Sequence, residues 1–236
     1  NSILNSERFT STNILGVQNL LNLIKDKPDN IATKPMLIQF STDEVYGDIQ
    51  NGSHKETDML NPSNPYSASK AAADLLVLAW ARTYKIEYII VRPTNNYGVN
   101  QYPEKLIPLS VKLLQRGKKI RLHNRGTPVR NWLHSDDCAE AVITIIESGI
   151  KNEIFNISGN LEQDNRQTVN KIIDCFFEEN KVDSSEYIDL SHNREGQDVR
   201  YALNDDKLKE LGWKPKKLFS EEIKEIVRIY KNSFRW

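Results

Sequence analysis

Glycine is scarce in this chain, and the few glycines are scattered. Only 10 occur in 236 residues. None of them forms a GxGxxG or GxxGxxG turn, the pattern that places a dinucleotide pyrophosphate at the amino end of a helix. The sequence therefore offers no Gly-rich cradle for such a pyrophosphate.

Metal-ligand clusters, surplus charge and long apolar runs are also lacking. Cys138 and Cys175 stand far apart in apolar helical patterns, and the four histidines are scattered, which favours buried thiols in a reducing, cytoplasmic compartment and no metal site. Basic and acidic side chains balance at 32 each, which argues against nucleic acid or a membrane surface as a partner. No apolar run approaches the ~20 residues of a membrane helix, and no secretory signal opens the chain.

A tyrosine and a lysine four residues apart, Tyr66 and Lys70, precede an alanine-rich apolar stretch at residues 71–81. On a helix this spacing puts both side chains on one face, one turn apart. An ammonium beside a phenol favours the phenolate, so the phenol's pKa of about 10 is expected to move towards the range of a general base. Such a base suits oxidation of a hydroxyl to a carbonyl. The alternative is that Tyr66 caps a helix and Lys70 is solvated, because YxxxK is a short and common pattern.

A polar cluster, Thr42, Asp43 and Glu44, follows the apolar run at residues 36–40. The run predicts a buried parallel strand, and ligands of open α/β sheets bind beyond the carboxyl ends of such strands. Two adjacent carboxylates in a partly desolvated cleft push their pKa values apart, which leaves one as an acid and one as a base. The alternative is that Asp43 only caps a turn.

Further motifs stand in a fixed order with these two clusters. The whole series is STDEVYG (41–47), NPYSASKA (64–71), NNYG (95–98), QYPEKLIP (101–108), RNWL (130–133) and LGWKP (211–215). Over nearly the whole chain it resembles the extended short-chain dehydrogenase/reductases and, within them, the NAD-dependent epimerase/dehydratase family, most closely the dTDP-glucose 4,6-dehydratases. The Thr-Asp-Glu triplet selects the dehydratase branch, because related epimerases and decarboxylases usually carry a small residue where Asp43 stands.

The resemblance implies an α/β fold: a Rossmann-type doubly wound parallel sheet, here without its N-terminal strands, and a smaller C-terminal substrate-binding α/β domain. Residues 1–100 would be the remainder of the NAD-binding domain, with a helix at 132–150 packing back on it. Residues 101–131 and 151–236 would bind the nucleotide sugar. Apolar periodicity predicts helices at 9–26, 66–84, 105–116 and 168–179 and strands at 36–41, 88–92, 119–123 and 154–157.

The same resemblance implies a three-step mechanism. Tyr66, assisted by Lys70 and Thr42, would take the proton of the sugar 4-hydroxyl while NAD accepts the C4 hydride. Glu44 would then remove the acidified C5 proton, and Asp43 would protonate the departing 6-hydroxyl as water leaves. Return of the hydride to C6 would give a 4-keto-6-deoxy sugar and regenerate NAD.

Two sets of side chains would hold the ligands, again by resemblance. The NAD set is Thr12, Ser41, Tyr66, Lys70 and Asn96. The nucleotide-sugar set is Thr42, Asn95, Lys105, Leu106, Arg130, Asn165, Arg194, Gln197 and Arg200. A guanidinium such as that of Arg130 can clamp a diphosphate bidentately. Gln197 departs from the family, where His is frequent, which weakens the choice of dTDP, and Lys105 and Arg200 are also open to interpretation as ordinary surface charge.

The beginning of the chain departs from the family pattern. Family members carry roughly 80 to 90 residues, including the Gly-rich turn, before the point that matches Asn1, so we expect this chain to bind NAD poorly. A fragment, a polypeptide completed by another chain and a short paralogue without activity are the three explanations. A related epimerase or decarboxylase, or a non-catalytic nucleotide-sugar-binding or dimerising module, are the alternative functions. The resemblance also implies a homodimer through the helices at 9–26 and 66–84, with a monomer as the alternative.

Overall fold

A computed structural model describes residues 5–27, 35–159, 161–178, 180–193 and 198–233. The chain divides into two compact units. The first unit comprises Asn1–Thr94, Glu140–Ser158 and Tyr201–Trp213, and the second comprises Asn95–Ala139, Gly159–Arg200 and Lys214–Trp236. Within the described ranges, no helix combines the length and apolar character needed to cross a bilayer.

The first unit is built around a parallel three-stranded sheet with the order β1-β2-β6. Its strands are β1 (Leu37–Phe40), β2 (Tyr88–Pro93) and β6 (Glu153–Ile157). Ile90 in β2 pairs with Gln39 on one side and with Ile154 on the other. The β-branched run of β2 suits this central place, because both faces of the strand are covered.

Helices of the first unit precede and follow β1. They are α1 (Glu7–Thr10), a π-helix (Ser11–Leu15), α2 (Gly16–Lys25), α3 (Pro65–Tyr84) and the short α7 (Asp206–Lys209). A core that includes Leu21, Val77, Ile86 and Ile90 joins α2 and α3 to the sheet. The predicted helix at 9–26 is therefore present, but a π-helical turn interrupts it.

The second unit has two small sheets and three longer helices. Strands β3 (Asn95–Tyr97), β5 (Val129–His134) and β7 (Leu161–Asp164) form one sheet, and β4 (Ile120–His123) pairs with β8 (Ile188–His192) in the other. The helices are α4 (Leu106–Gln115), α6 (Asn165–Phe177) and α8 (Phe219–Ser233). Apolar side chains of all three helices share one core, which includes Val111, Ile172 and Val227.

The fold class expected from the sequence, an α/β protein with a Rossmann-type parallel sheet, is confirmed. The bounds of the parts differ from the prediction, and residues 95–100, predicted in the first part, belong to the second unit. Strand β6 and residues 201–213, predicted in the nucleotide-sugar part, belong to the first unit, because β6 pairs with β2. The helix expected at 132–150 is shorter: α5 runs over Ser135–Glu147, and residues 132–134 end strand β5. The assignment of one part to NAD and the other to the nucleotide sugar stays a prediction.

Candidate active site

The Thr-Asp-Glu triplet lies where β1 ends. After Phe40 the chain passes through Ser41 and Thr42 into a 3-10 helix, Asp43–Tyr46. The Thr42 side chain caps this helix: its Oγ1 accepts a hydrogen bond from the Glu44 amide (3.4 Å) and donates one to Asp43 Oδ1 (3.0 Å). Thr42 and Asp43 are both buried. The cap therefore fixes two neighbouring acidic residues at the carboxyl end of a parallel strand.

Gly47 ends this turn and permits its tight course. Its φ is +81°, a left-handed conformation that glycine adopts without strain. A Cβ at this position would overlap the carbonyl oxygen of Asn61. The residue type at 47 is thus set both by the backbone conformation and by the neighbouring loop.

Helix α3 carries Tyr66 and Lys70 and begins at Pro65. Asn64 caps it: its side chain accepts from the Ser67 amide (3.0 Å), and the Ser67 hydroxyl accepts from the Asn64 amide (3.2 Å). Proline at the first helical position has the φ that a helix needs, and its missing N–H costs nothing there. The side-chain amide of Asn64 also donates to Glu44 Oε2 (3.3 Å). The cap of α3 is therefore joined to the segment 41–47 that carries Asp43 and Glu44, here called the acidic turn.

The environment of Tyr66 is acidic rather than basic in this structure. Burial, then the charges of Glu44 and Asp43, raise the pKa of Tyr66 to about 12, while a hydrogen bond with Thr42 acts in the opposite direction. The expected fall of this pKa is not found. The Lys70 ammonium instead donates to the Phe40 carbonyl at the end of β1, and burial lowers the pKa of Lys70.

Two residues outside the predicted set contact this region. The Phe9 ring meets the Tyr66 ring edge to face at 6.1 Å, and the Asn13 side chain donates to Ser69 Oγ at 2.9 Å. Thr12, the residue predicted near NAD, is exposed on the π-helix. Asn13 follows Thr12 directly in the sequence, and this neighbour is the one signal in the sequence that points to it.

Three of the predicted nucleotide-sugar residues lie around strand β5 in the second unit. Arg130 stands in β5, which pairs with β7 on one side, and Val129 also forms a bridge with Arg200. The Asn165 amide donates to the Pro128 carbonyl just before the strand (3.1 Å). The fold therefore gathers Arg130, Asn165 and Arg200 around one strand.

Both guanidinium groups of this strand region have internal partners. Arg130 Nη1 donates to the carbonyls of Val129 (2.7 Å) and Asp198 (3.3 Å). Arg200 makes a bidentate pair with Glu162, with Nε and Nη2 each 2.9 Å from a carboxylate oxygen. These contacts orient the two cations.

The remaining predicted residues are spread over the second unit or lie outside the described ranges. Asn95 and Asn96 pair with Trp132 and Leu133 in the same sheet. Lys105 stands at the start of α4 and is exposed, and Leu106 packs against the core. Arg194 and Gln197 fall outside the described residues.

The chemical groups of the first unit form one cluster at the end of β1. Thr42, Asp43, Glu44, Tyr66 and Lys70, the five residues predicted to be catalytic, all belong to this unit. Hydroxyl, carboxyl, phenol and ammonium groups together can move protons between a bound substrate and the protein. In the part of the chain that the structure describes, no three His, Cys, Asp or Glu side chains are placed to hold a metal ion. Cys138 is buried and Cys175 only partly so, and both are free thiols.

Comparison with known proteins identifies close relatives of the chain. The family model described as GDP-mannose 4,6 dehydratase matches residues 1–226. The chain is 38% identical to dTDP-glucose 4,6-dehydratase of Streptomyces antibioticus, with all of this chain and 68% of that protein covered. It is 36% identical to dTDP-D-glucose 4,6-dehydratase of Mus musculus, with 99% of this chain and 64% of that protein covered.

Solved structures show the same similarity in three dimensions. The crystal structure of the dTDP-glucose 4,6-dehydratase DesIV from Streptomyces venezuelae, solved with NAD bound, superposes with a TM-score of 0.90 at 38% identity. That superposition covers 98% of this chain and 69% of the DesIV chain. The chain thus spans about two thirds of the length of these relatives.

Proposed function

We propose, because the chain belongs to the GDP-mannose 4,6-dehydratase family of NAD-dependent epimerases and dehydratases, that it works as a nucleotide-sugar 4,6-dehydratase. The reaction would remove water from dTDP-glucose, or from a closely similar nucleotide sugar, and leave a 4-keto-6-deoxy sugar. The observation that carries the proposal is the cluster at the end of β1, where Thr42 donates to Asp43 Oδ1 (3.0 Å) and the side chain of Asn64, the cap of α3, donates to Glu44 Oε2 (3.3 Å).

NAD fits one end of this cluster. Lys70 lies beyond the carboxyl end of β1, where ligands of parallel sheets bind, and its ammonium has three N–H groups, of which one donates to Phe40. When bound, NAD would store the hydride taken from C4 of the sugar until it returns to C6.

The side chains then share the proton transfers. Tyr66 Oη takes the proton of the 4-hydroxyl, with Lys70 and Thr42 beside it. A cation that binds near the phenol would support this step, because it would lower the pKa of Tyr66, which burial and the charges of two acids raise. Glu44 removes the C5 proton, and Asp43 gives a proton to the 6-hydroxyl as it leaves as water.

The second unit would hold the nucleotide diphosphate. Arg130, Asn165 and Arg200 gather around β5, and guanidinium groups suit phosphate oxygens in charge and shape. Asn95, Lys105 and Leu106, with Arg194 and Gln197, complete the proposed set, while Thr12, Ser41 and Asn96 join Tyr66 and Lys70 around NAD.

We also propose that the protein is a cytoplasmic homodimer. Leu15, Leu20, Leu23 and Leu75 are half or more exposed on neighbouring helices of the first unit. These helices contact each other directly, for example through the Trp80 indole N–H and Asn22 Oδ1 (3.4 Å). A second copy of the same apolar face would bury these side chains.

Assay of the proposed reaction tests the function. Protein incubated with NAD and dTDP-glucose is expected to form a product with the base-induced absorbance of a 4-keto sugar. Asp43→Asn and Glu44→Gln should each lower the rate about a hundredfold or more, the usual range for loss of a general acid or base. Glu147→Gln, an exposed acid at the end of α5, serves as the matched control. Absence of the keto sugar would contradict the function, and full activity of both variants would contradict the assigned roles.

A further inference from the structure

Arg92 is a buried cation in the central strand of the first unit. Its side chain is 2% exposed, and it stands in β2 between β1 and β6. Its Nε donates to Asp74 Oδ2 at 3.0 Å, and its Nη1 donates to Tyr46 Oη at 2.7 Å. A buried charge persists only where such partners surround it, so the two contacts are tightly determined.

The two partners of Arg92 lead to opposite ends of the acidic turn. Asp74 Oδ2 also accepts a hydrogen bond from Ser41 Oγ at 2.9 Å, and Ser41 is the residue before Thr42. Tyr46 is the last residue of the 3-10 helix that carries Asp43 and Glu44. One guanidinium therefore connects to both ends of the segment that holds the two carboxyl groups.

Tyr46 is fixed on its far side as well. Its hydroxyl donates to Asn156 Oδ1 at 2.9 Å. The Asn156 amide group in turn donates to the carbonyls of His54 and Asn204, each at 3.0 Å, which leaves its oxygen facing the phenol. The Tyr46 ring also stacks on the His54 ring at 5.0 Å. A buried polar network of this kind restrains the positions of its members.

We propose that Arg92 is the positioning residue of the acidic turn. It holds Ser41 indirectly, through Asp74, and it holds Tyr46 directly, and the two contacts together set where the carboxyl groups of Asp43 and Glu44 stand. The inference rests on the proposed function, because it assigns the network to the elimination step. Oxidation of the sugar depends on Tyr66 and Lys70 on α3, whose own cap and helix do not require the Tyr46 hydroxyl. Asp74 also lies on α3, so the contact of Arg92 with Asp74 serves both steps, whereas its contact with Tyr46 should affect elimination more than oxidation.

Tyr46→Phe tests the proposal, because it removes the hydroxyl and its two bonds while keeping the ring. Amide hydrogen exchange at residues 43–47 is expected to become about tenfold faster, the equivalent of one lost hydrogen bond, with exchange in α3 unchanged. In the NAD-loaded protein, kcat should fall about tenfold with little change in KM. Oxidised sugar should accumulate before elimination, visible as the near-ultraviolet absorbance of reduced nicotinamide in a single turnover.

Tyr230→Phe is the matched control. Tyr230 is fully buried like Tyr46, and its hydroxyl donates to a partner outside the network, the Gly98 carbonyl (3.1 Å). It should leave both the exchange at 43–47 and the transient absorbance unchanged. Unchanged exchange in Tyr46→Phe, or faster exchange without the transient, would overturn the positioning role. Absence of keto sugar from the wild-type protein would instead overturn the proposed function, which keeps the two failures distinct.

Discussion

The positions of Tyr66 and Lys70 show what a helical spacing rule can and cannot predict. Tyr66 and Lys70 stand on one helix, as the four-residue spacing predicts, but Lys70 donates to the Phe40 carbonyl. Burial, followed by the charges of Glu44 and Asp43, raises the pKa of the Tyr66 phenol. Helical periodicity fixes which residues share a face. It does not fix which acceptor a long flexible side chain selects, because the Phe40 carbonyl comes from a strand 30 residues away in sequence. The direction of the pKa shift therefore required the tertiary structure.

Alkaline pH is expected to destabilise the fold through Tyr46. Burial raises the pKa of this phenol to about 12, above its value of about 10 in the unfolded chain. The contribution of the protonated Tyr46 phenol to the free energy of unfolding is fully present below about pH 10. It is lost as the pH rises towards 12, because only the unfolded chain releases the phenol proton in that range. A shift of this size corresponds to about 3 kcal/mol in the free energy of unfolding.

Urea unfolding at intervals from about pH 8 to about pH 11 measures this effect. The free energy of unfolding should decline more steeply for the wild type than for Tyr46→Phe, which lacks the titrating group. Parallel declines in the two proteins would show that the buried phenol is not the source.

Helices and strands with strong apolar patterns are the elements that could be predicted. Helix α3 and strand β2 begin within one residue of the predicted positions, because alanine-rich and β-branched runs have clear preferences. Strands β3 and β7 were not predicted, since NNY and LEQD are polar and form strands only by pairing with β5. Pairing partners distant in sequence leave no local pattern. The π-helical turn Ser11–Leu15 was missed for the same lack of a local signal.

The cap of α3 gives a prediction at the level of one element. Asn64→Ala removes the acceptor for the Ser67 amide and is expected to lower the free energy of unfolding by about 1 kcal/mol. Asn64→Ser keeps an acceptor at the cap and should restore most of that loss. Denaturant unfolding of the three proteins measures the difference, and equal stability of the Ala and Ser variants would contradict the capping role.

At the scale of the molecule, exposed leucines are concentrated on the neighbouring helices α2 and α3. Leu23 is 70% exposed and Leu75 57% exposed, although both occur in helices whose other faces are buried in the core. The even charge balance of the whole chain provides no net repulsion between copies. We therefore propose a second copy of the chain as the partner of this face.

Leu23→Lys is expected to weaken self-association at least about tenfold, because an ammonium placed in an apolar interface lacks a partner. Sedimentation velocity over a range of protein concentrations measures the shift towards monomer. Met59→Lys is the matched control, since Met59 is a highly exposed apolar side chain away from these helices. A wild-type protein that sediments as a monomer throughout would rule out the dimer.

The buried pair of Arg92 and Asp74 has a consequence for sequence divergence. Replacement of either residue alone leaves an uncompensated charge in the interior of the first unit, at a cost of about 3 to 5 kcal/mol, which is comparable to the whole stability of many domains. A single substitution at either position is therefore expected to destabilise the fold strongly. Positions 74 and 92 should therefore vary together among homologues, and a homologue with an apolar residue at 92 should have lost the acid at 74.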